Sequence, residues 1–94
     1  MHREAIGKRT RKRLMLRAVQ DQLNSPDTPE VKLHYNRLLA MGYSATKAQE
    51  LIAIVLALYI WHVLRGEQYR YSDYVEQLAK LPEIDWLNEE DEEV

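Results

Sequence analysis

The chain has no cysteine and no phenylalanine, and only three glycines and three prolines among its 94 residues. Without cysteine there can be no disulfide framework, no thiolate nucleophile and no zinc site of the cysteine type. Without phenylalanine the aromatic surface rests on six tyrosines and two tryptophans, rings that keep a polar group and so tend to have one wet end. Alternating apolar and polar residues of strand length are also missing, and no internal repeat is evident. A secretory signal is not expected: the basic start runs into "LMLRAV", which Arg17 interrupts. The longest apolar run, residues 51–64, is shorter than the ~20 residues of a spanning helix and contains His62. The expectation is therefore a soluble, cytoplasmic protein outside the membrane. An apolar fraction of 46% is ordinary for a folded domain.

What is present is unevenly placed. The net charge is only −2, yet residues 1–17 hold seven Lys/Arg against one Glu, and residues 83–94 hold seven Asp/Glu and no basic residue. A basic head and an acidic tail can satisfy each other, within one chain or between two. The organisation expected is one domain over 1–87, with 1–13 a basic arm free to project and 88–94 a disordered acidic tail.

The punctuation predicts helices only. In "NSPDTPE" Thr28 or Asp27 suits an N-cap and Pro29 the first helical position, with Glu30 in the first turn. Gly42 closes that helix, Ser44 caps the next, and Gly66 is the following breaker. Asp73 with Glu76 has capping-box spacing, and Pro82 ends the last helix. The fold class is all-α: four helices over about 4–24, 29–41, 45–65 and 74–81, packed as a compact bundle around the long third one.

Three helices have ordinary one-sided patterns. Val31, Tyr35, Leu38 and Leu39 share a face, as do Tyr74, Val75, Leu78 and Leu81; Met15, Leu16, Val19 and Leu23 align in the second half of the first helix. Around Lys8–Arg13 charges point in every direction. The third helix differs, because "LIAIVLALYIW" (51–61) carries no charge at all. Ala48, Ile52, Val55, Leu56, Tyr59 and Val63 form its natural core face, while the opposite stripe runs Glu50, Ile54, Ala57, Trp61, Arg65. A helix apolar all round is a buried helix, and three short partners cannot cover every side of it. The expectation is that a second copy covers the Glu50–Arg65 stripe, antiparallel about a two-fold axis near Ala57, with Glu50 of one chain near Arg65 of the other.

Other features point more weakly to chemistry. Lys8, Arg9, Arg11, Lys12, Arg13 and Arg17 could serve an anionic partner, either an acidic protein or nucleic acid, but base-reading side chains and a docking fold are lacking. The carboxylates of "NEEDEEV" have no fixed ligand spacing, so the run reads as a solubilising tail. Ile84, Trp86 and Leu87 before it need a buried place and are expected to strap back onto the domain. His2, His34 and His62 have no histidine or carboxylate three or four residues further on that would suggest a helical ligand pair, and His62 is placed to hydrogen-bond a tyrosine. Tyr69, Tyr71 and Tyr74 are expected to roof the end of the central helix, or else to mark a contact surface. A small-molecule site near Tyr59 and His62 is a further alternative. No Ser/His/Asp arrangement, phosphate loop or paired carboxylates can be placed, so no catalytic residue, cofactor or metal is assigned.

Met41-Gly42-Tyr43, followed by Ala48 and Leu51-Ile52, resembles the first loop of ubiquitin-associated domains, compact three-helix bundles with a short second helix. Here the next helix runs on much further, so that resemblance covers residues 41–52 only. Over residues 26–82, Pro29-Glu30-Val31, Tyr35, Arg37-Leu38-Leu39, Gly42-Tyr43-Ser44, Ala48, Ile52 and Val55-Leu56 resemble a segment of small bacterial all-helical proteins of unknown function. That resemblance implies an all-helical fold and no site residues. The function expected is interaction through self-association, with nucleic-acid association by the basic head as the alternative.

Overall fold

The computed structural model describes residues 7–84, and among them it contains four helices and no strand. They are α1 (Lys8–Leu23), α2 (Pro29–Ala40), α3 (Ala45–Leu64) and α4 (Tyr71–Lys80). Local chemistry sets their ends. Thr28 is the N-cap residue of α2, with Pro29 and Glu30 in the first turn. Its hydroxyl does not cap the helix but donates to the Gln22 carbonyl at 2.9 Å, tying the α1–α2 loop. Ser44 does cap with its side chain, accepting from the Lys47 N–H at 3.1 Å.

Two helices end in the same way. Gly42 and Gly66 take φ of +105° and +77°, a region costly for residues with a Cβ. The Gly42 N–H then donates to the Leu39 carbonyl at 3.0 Å and the Tyr43 N–H to Leu38 at 3.2 Å. After α3 the Gly66 N–H reaches Val63 at 3.0 Å and the Glu67 N–H reaches His62 at 3.1 Å. Both are the paired closures of a Schellman motif.

The start of α4 departs from expectation. It begins at Tyr71, not 74, because Asp73 is the third helical residue and not the cap: its carboxylate accepts the Arg70 backbone N–H at 2.8 Å. That is half of a reciprocal capping arrangement, read from the sequence one turn too late.

The core gathers on α3, which adjoins the other three helices. Ala48, Leu51, Ile52, Ala53, Val55 and Leu56 are buried against Val19, Val31, Leu38, Tyr74 and Leu78. Each fully buried aliphatic side chain in such a cluster stabilises the fold by roughly 1.5–3 kcal/mol. One expected core residue is not there: Val63 is exposed, because it lies beyond the last buried turn of α3.

Four side-chain hydrogen bonds fasten the short α4. The Tyr74 hydroxyl donates to Gln22 Oε1 at 2.7 Å, and the Tyr71 hydroxyl to Glu30 Oε1 at 2.7 Å. The Arg37 guanidinium donates to the carbonyls of Leu78 and Ala79 at its C-terminal end. Past α4, Leu81 and Ile84 are buried, so the expected strap begins as read. Its Trp86 and Leu87, the acidic tail and His2 lie outside the described residues.

Candidate interaction surface

At 1.5 Å per residue the 20-residue α3 is about 30 Å long, against about 24, 18 and 15 Å for α1, α2 and α4. The central helix therefore outruns its partners. All of its buried residues fall between Ala48 and Leu56, while the apolar sequence continues to Leu64. From Ala57 onward none is buried: Trp61 is 50% exposed, Val63 48% and Leu64 80%. By length and composition α3 would also suffice to cross a membrane, so the run is longer than its uncharged stretch suggests. One-third of its most apolar window is nonetheless buried inside this bundle.

Ala57, Ile60, Trp61 and Leu64 follow the i, i+3, i+4, i+7 spacing of one helix face. Toward the N-terminus the same face is continued by Ala53, Ile54 and Glu50, and here α1 crosses it. Between the two helices lies a groove of about 300 Å³. Met15 and Leu16 of α1 and Ala53, Ile54 and Ala57 of α3 line it. Lys12 and Glu50 also line it, and their side chains pair at 3.0 Å.

The expected stripe is thus one continuous surface, but unevenly covered. Ile54 is half-buried against the core, Ala57 and Trp61 are open, and Arg65 is exposed. Its two end charges are already engaged within the chain. Glu50 pairs with Lys12, and Arg65 Nε donates to Glu67 Oε2 at 2.8 Å. A lone Glu50–Arg65 contact between copies is therefore too simple; any such meeting is of one ion pair with another.

Trp61 is held in place by a chain of rings that runs outward from the core. Tyr71 lies tilted on Tyr74 (5.8 Å between centroids), and Tyr74 stacks on Tyr59 (5.0 Å). Tyr59 meets Tyr69 at 5.7 Å, Tyr69 stacks on His62 at 4.4 Å, and His62 meets Trp61 edge-on at 5.1 Å. The Arg65 guanidinium covers the Trp61 ring at 4.6 Å, a cation–π contact. Glu67 ties this end together, since His62 Nδ1 and Arg65 Nε both bond to its carboxylate. Those bonds, His62 first and Arg65 second, hold the Glu67 carboxyl below its ordinary range.

The tyrosines do roof the outer end of α3. The space near Tyr59 and His62, read as an alternative ligand site, is filled by Tyr69. His62 bonds Glu67 and stacks on a tyrosine instead of hydrogen-bonding one. His34 accepts from Arg37 Nε at 3.1 Å. Among the described residues no group of three or more His, Asp or Glu converges as a metal site would require.

The basic residues sit on α1. Arg9, Arg11, Arg13 and Arg17 are exposed, Lys12 bridges to Glu50, and of Lys8 only the helical backbone is described. The stretch 8–13 is the first part of α1, and within it Lys12 ties to α3 through Glu50. A wider depression of about 770 Å³ runs along α1 past Arg13 and Arg17, with Asp21 also on its wall.

Two features escaped the sequence reading. The groove wall at Met15 and Leu16 depends on the angle at which α1 crosses α3. The clamp at Glu67 depends on the Gly66 turn, which folds a residue beyond the helix back onto His62. No protein-family model, no curated protein and no solved structure matches the chain.

Proposed function

We propose that the chain acts as an interaction protein that self-associates into a two-fold dimer through the outer face of α3. The observation that carries this reading is the mismatch along that helix: burial stops at Leu56, while the apolar sequence runs on to a Leu64 that is 80% exposed. A contiguous apolar face of this kind on a small domain is characteristic of contact surfaces. An antiparallel two-fold through Ala57 makes the face self-complementary, because residues equally far before and after Ala57 come opposite one another. Ile54 then faces Ile60, and the small Ala57 lets the backbones approach. Covering Trp61, Ile60 and Leu64 from both chains favours association by several kcal/mol before association costs, at about 25 cal/mol per Å².

Sedimentation equilibrium on the wild type and Ala57→Glu tests the reading. The wild type is expected to be a dimer in the micromolar range. The variant sets two like charges against each other at the axis and is expected to be monomeric, with helical circular dichroism unchanged, since Ala57 is exposed. A wild type that stays monomeric at high micromolar concentration ends the proposal.

The second reading, nucleic-acid association, is favoured by Arg9, Arg13 and Arg17, exposed at i, i+4 spacing along α1. Phosphate neutralisation would make such affinity fall steeply with salt. Arg9, Arg11, Arg13 and Arg17 changed together to Ala spare the Lys12–Glu50 pair and would abolish it. A tight, sequence-selective complex in a mobility-shift assay would replace the dimer as the preferred function.

A further inference from the structure

We infer that in the dimer each copy's Trp61 seats in the groove between α1 and α3 of the other copy. The inference rests on the self-association proposed above and goes beyond it by naming a binding site and its occupant. It follows from three observations.

The first is position. About a two-fold at Ala57, Trp61 lies four residues after the axis and comes opposite Ala53, four residues before it. At 1.5 Å per residue both are about 6 Å from the axis along the helix. Ala53 lines the groove. The exposed ring on one copy is thus delivered to the recess on the other, and the symmetry makes the exchange reciprocal.

The second is fit. Met15, Leu16, Ala53, Ile54 and Ala57 give the groove an apolar lining, and its volume of about 300 Å³ is at the small end of pockets that receive an aromatic group. Trp61 is the largest side chain on the open face and is half exposed. Its orientation is already fixed by His62 at its edge and Arg65 on its face, so little ordering entropy opposes insertion.

The third is charge. Lys12 and Glu50 lie at the groove, and Arg65 and Glu67 flank Trp61. Seating the ring brings the two ion pairs together. Each pair has both signs, so Lys12 can face the partner copy's carboxylate and Glu50 its guanidinium. A like-charged groove would have repelled Arg65, and this one does not.

The test uses the full chain, with Trp86→Phe so that Trp61 is the only tryptophan. Trp61 emission is expected to shift to shorter wavelength, and to lose its acrylamide quenching, over the concentration range in which sedimentation shows the dimer forming. Because the chain has no cysteine, one can be placed uniquely. A second copy carrying Trp61→Phe, Trp86→Phe and a nitroxide at Lys12→Cys should quench Trp61 of the first copy in mixed dimers. The same label at Lys32→Cys, on an exposed position of α2, should not.

A dimer whose Trp61 emission neither shifts nor responds to the Lys12 label overturns the inference and leaves self-association standing. A monomer at high micromolar concentration overturns both. Emission already blue-shifted at the lowest concentration assigns the cover to the chain's own residues. A shift that appears only with vesicles containing phosphatidylglycerol assigns the face to a lipid surface. Either of the last two results also overturns the inference.

Discussion

The guanidinium of Arg37, on α2, donates to the main-chain carbonyl of Leu78, in the last turn of α4, at 3.1 Å. A second bond reaches Ala79 at 3.3 Å, so one arginine bonds two carbonyls of the last turn, of which that of Leu78 also accepts the Leu81 N–H at 3.1 Å. At 10 residues α4 is too short to be stable alone, and its order depends on contacts of this kind. Arg37→Ala is expected to lower stability by about 1–2 kcal/mol in urea titration, the range for charge-assisted bonds at a partly exposed site. Arg37→Lys should recover only part, because one ammonium cannot reproduce the fork. An Ala variant as stable as the wild type would show that the cap is incidental.

His34 orients that arginine by accepting from its Nε at 3.1 Å through Nδ1, which requires the neutral ring. Burial first, and the Arg37 charge second, hold the His34 pKa below its ordinary 6.5, with Glu30 opposing them. A base whose folded pKa is depressed binds its proton more readily when unfolded. Its contribution to stability is therefore complete above pH 6.5 and is lost as the pH falls through the lower folded value. His34→Gln should flatten the fall in urea midpoint between neutral and mildly acidic pH. Parallel profiles for the two proteins would remove His34 from the account.

Tyr71 and Glu30 join α4 to the first turn of α2 through one bond of 2.7 Å. That bond is the main cause holding the Glu30 carboxyl below its ordinary 4.5, while burial and then the same bond push the Tyr71 phenol upward. For a carboxylate with a lowered pKa, the stabilising contribution exists above pH 4.5 and disappears on further acidification. Tyr71→Phe should return Glu30 toward 4.5 in a carbon-detected NMR titration. An unchanged Glu30 titration would mean that the bond is not made in solution.

The all-helical class and the starts of α2 and α3 were legible because they rest on local chemistry, whereas α1 begins at Lys8, after Gly7, and not near residue 4. Pro29, Ser44 and the two glycines act through backbone geometry and bonds to residues within one turn, and they do so wherever they stand. The start of α4 was misread for a reason of the same scale. An aspartate can cap a helix from the first position or accept a bond back from the third, and the two uses share a spacing signal.

The sequence by itself determined that the 51–61 run must be buried on one side and would present apolar side chains on the other. Hydrophobic periodicity records which faces are apolar but not what covers them. How far the cover extends was decided by tertiary structure: α1, α2 and α4 are shorter than α3, so burial ends at Leu56 and leaves Val63 outside. The groove beside Ala53, the Lys12–Glu50 pair and the run of rings from Tyr71 to Trp61 likewise exist only once helices far apart in sequence meet at fixed angles. Contacts between side chains on different helices depend on those angles and offsets, which no local pattern encodes.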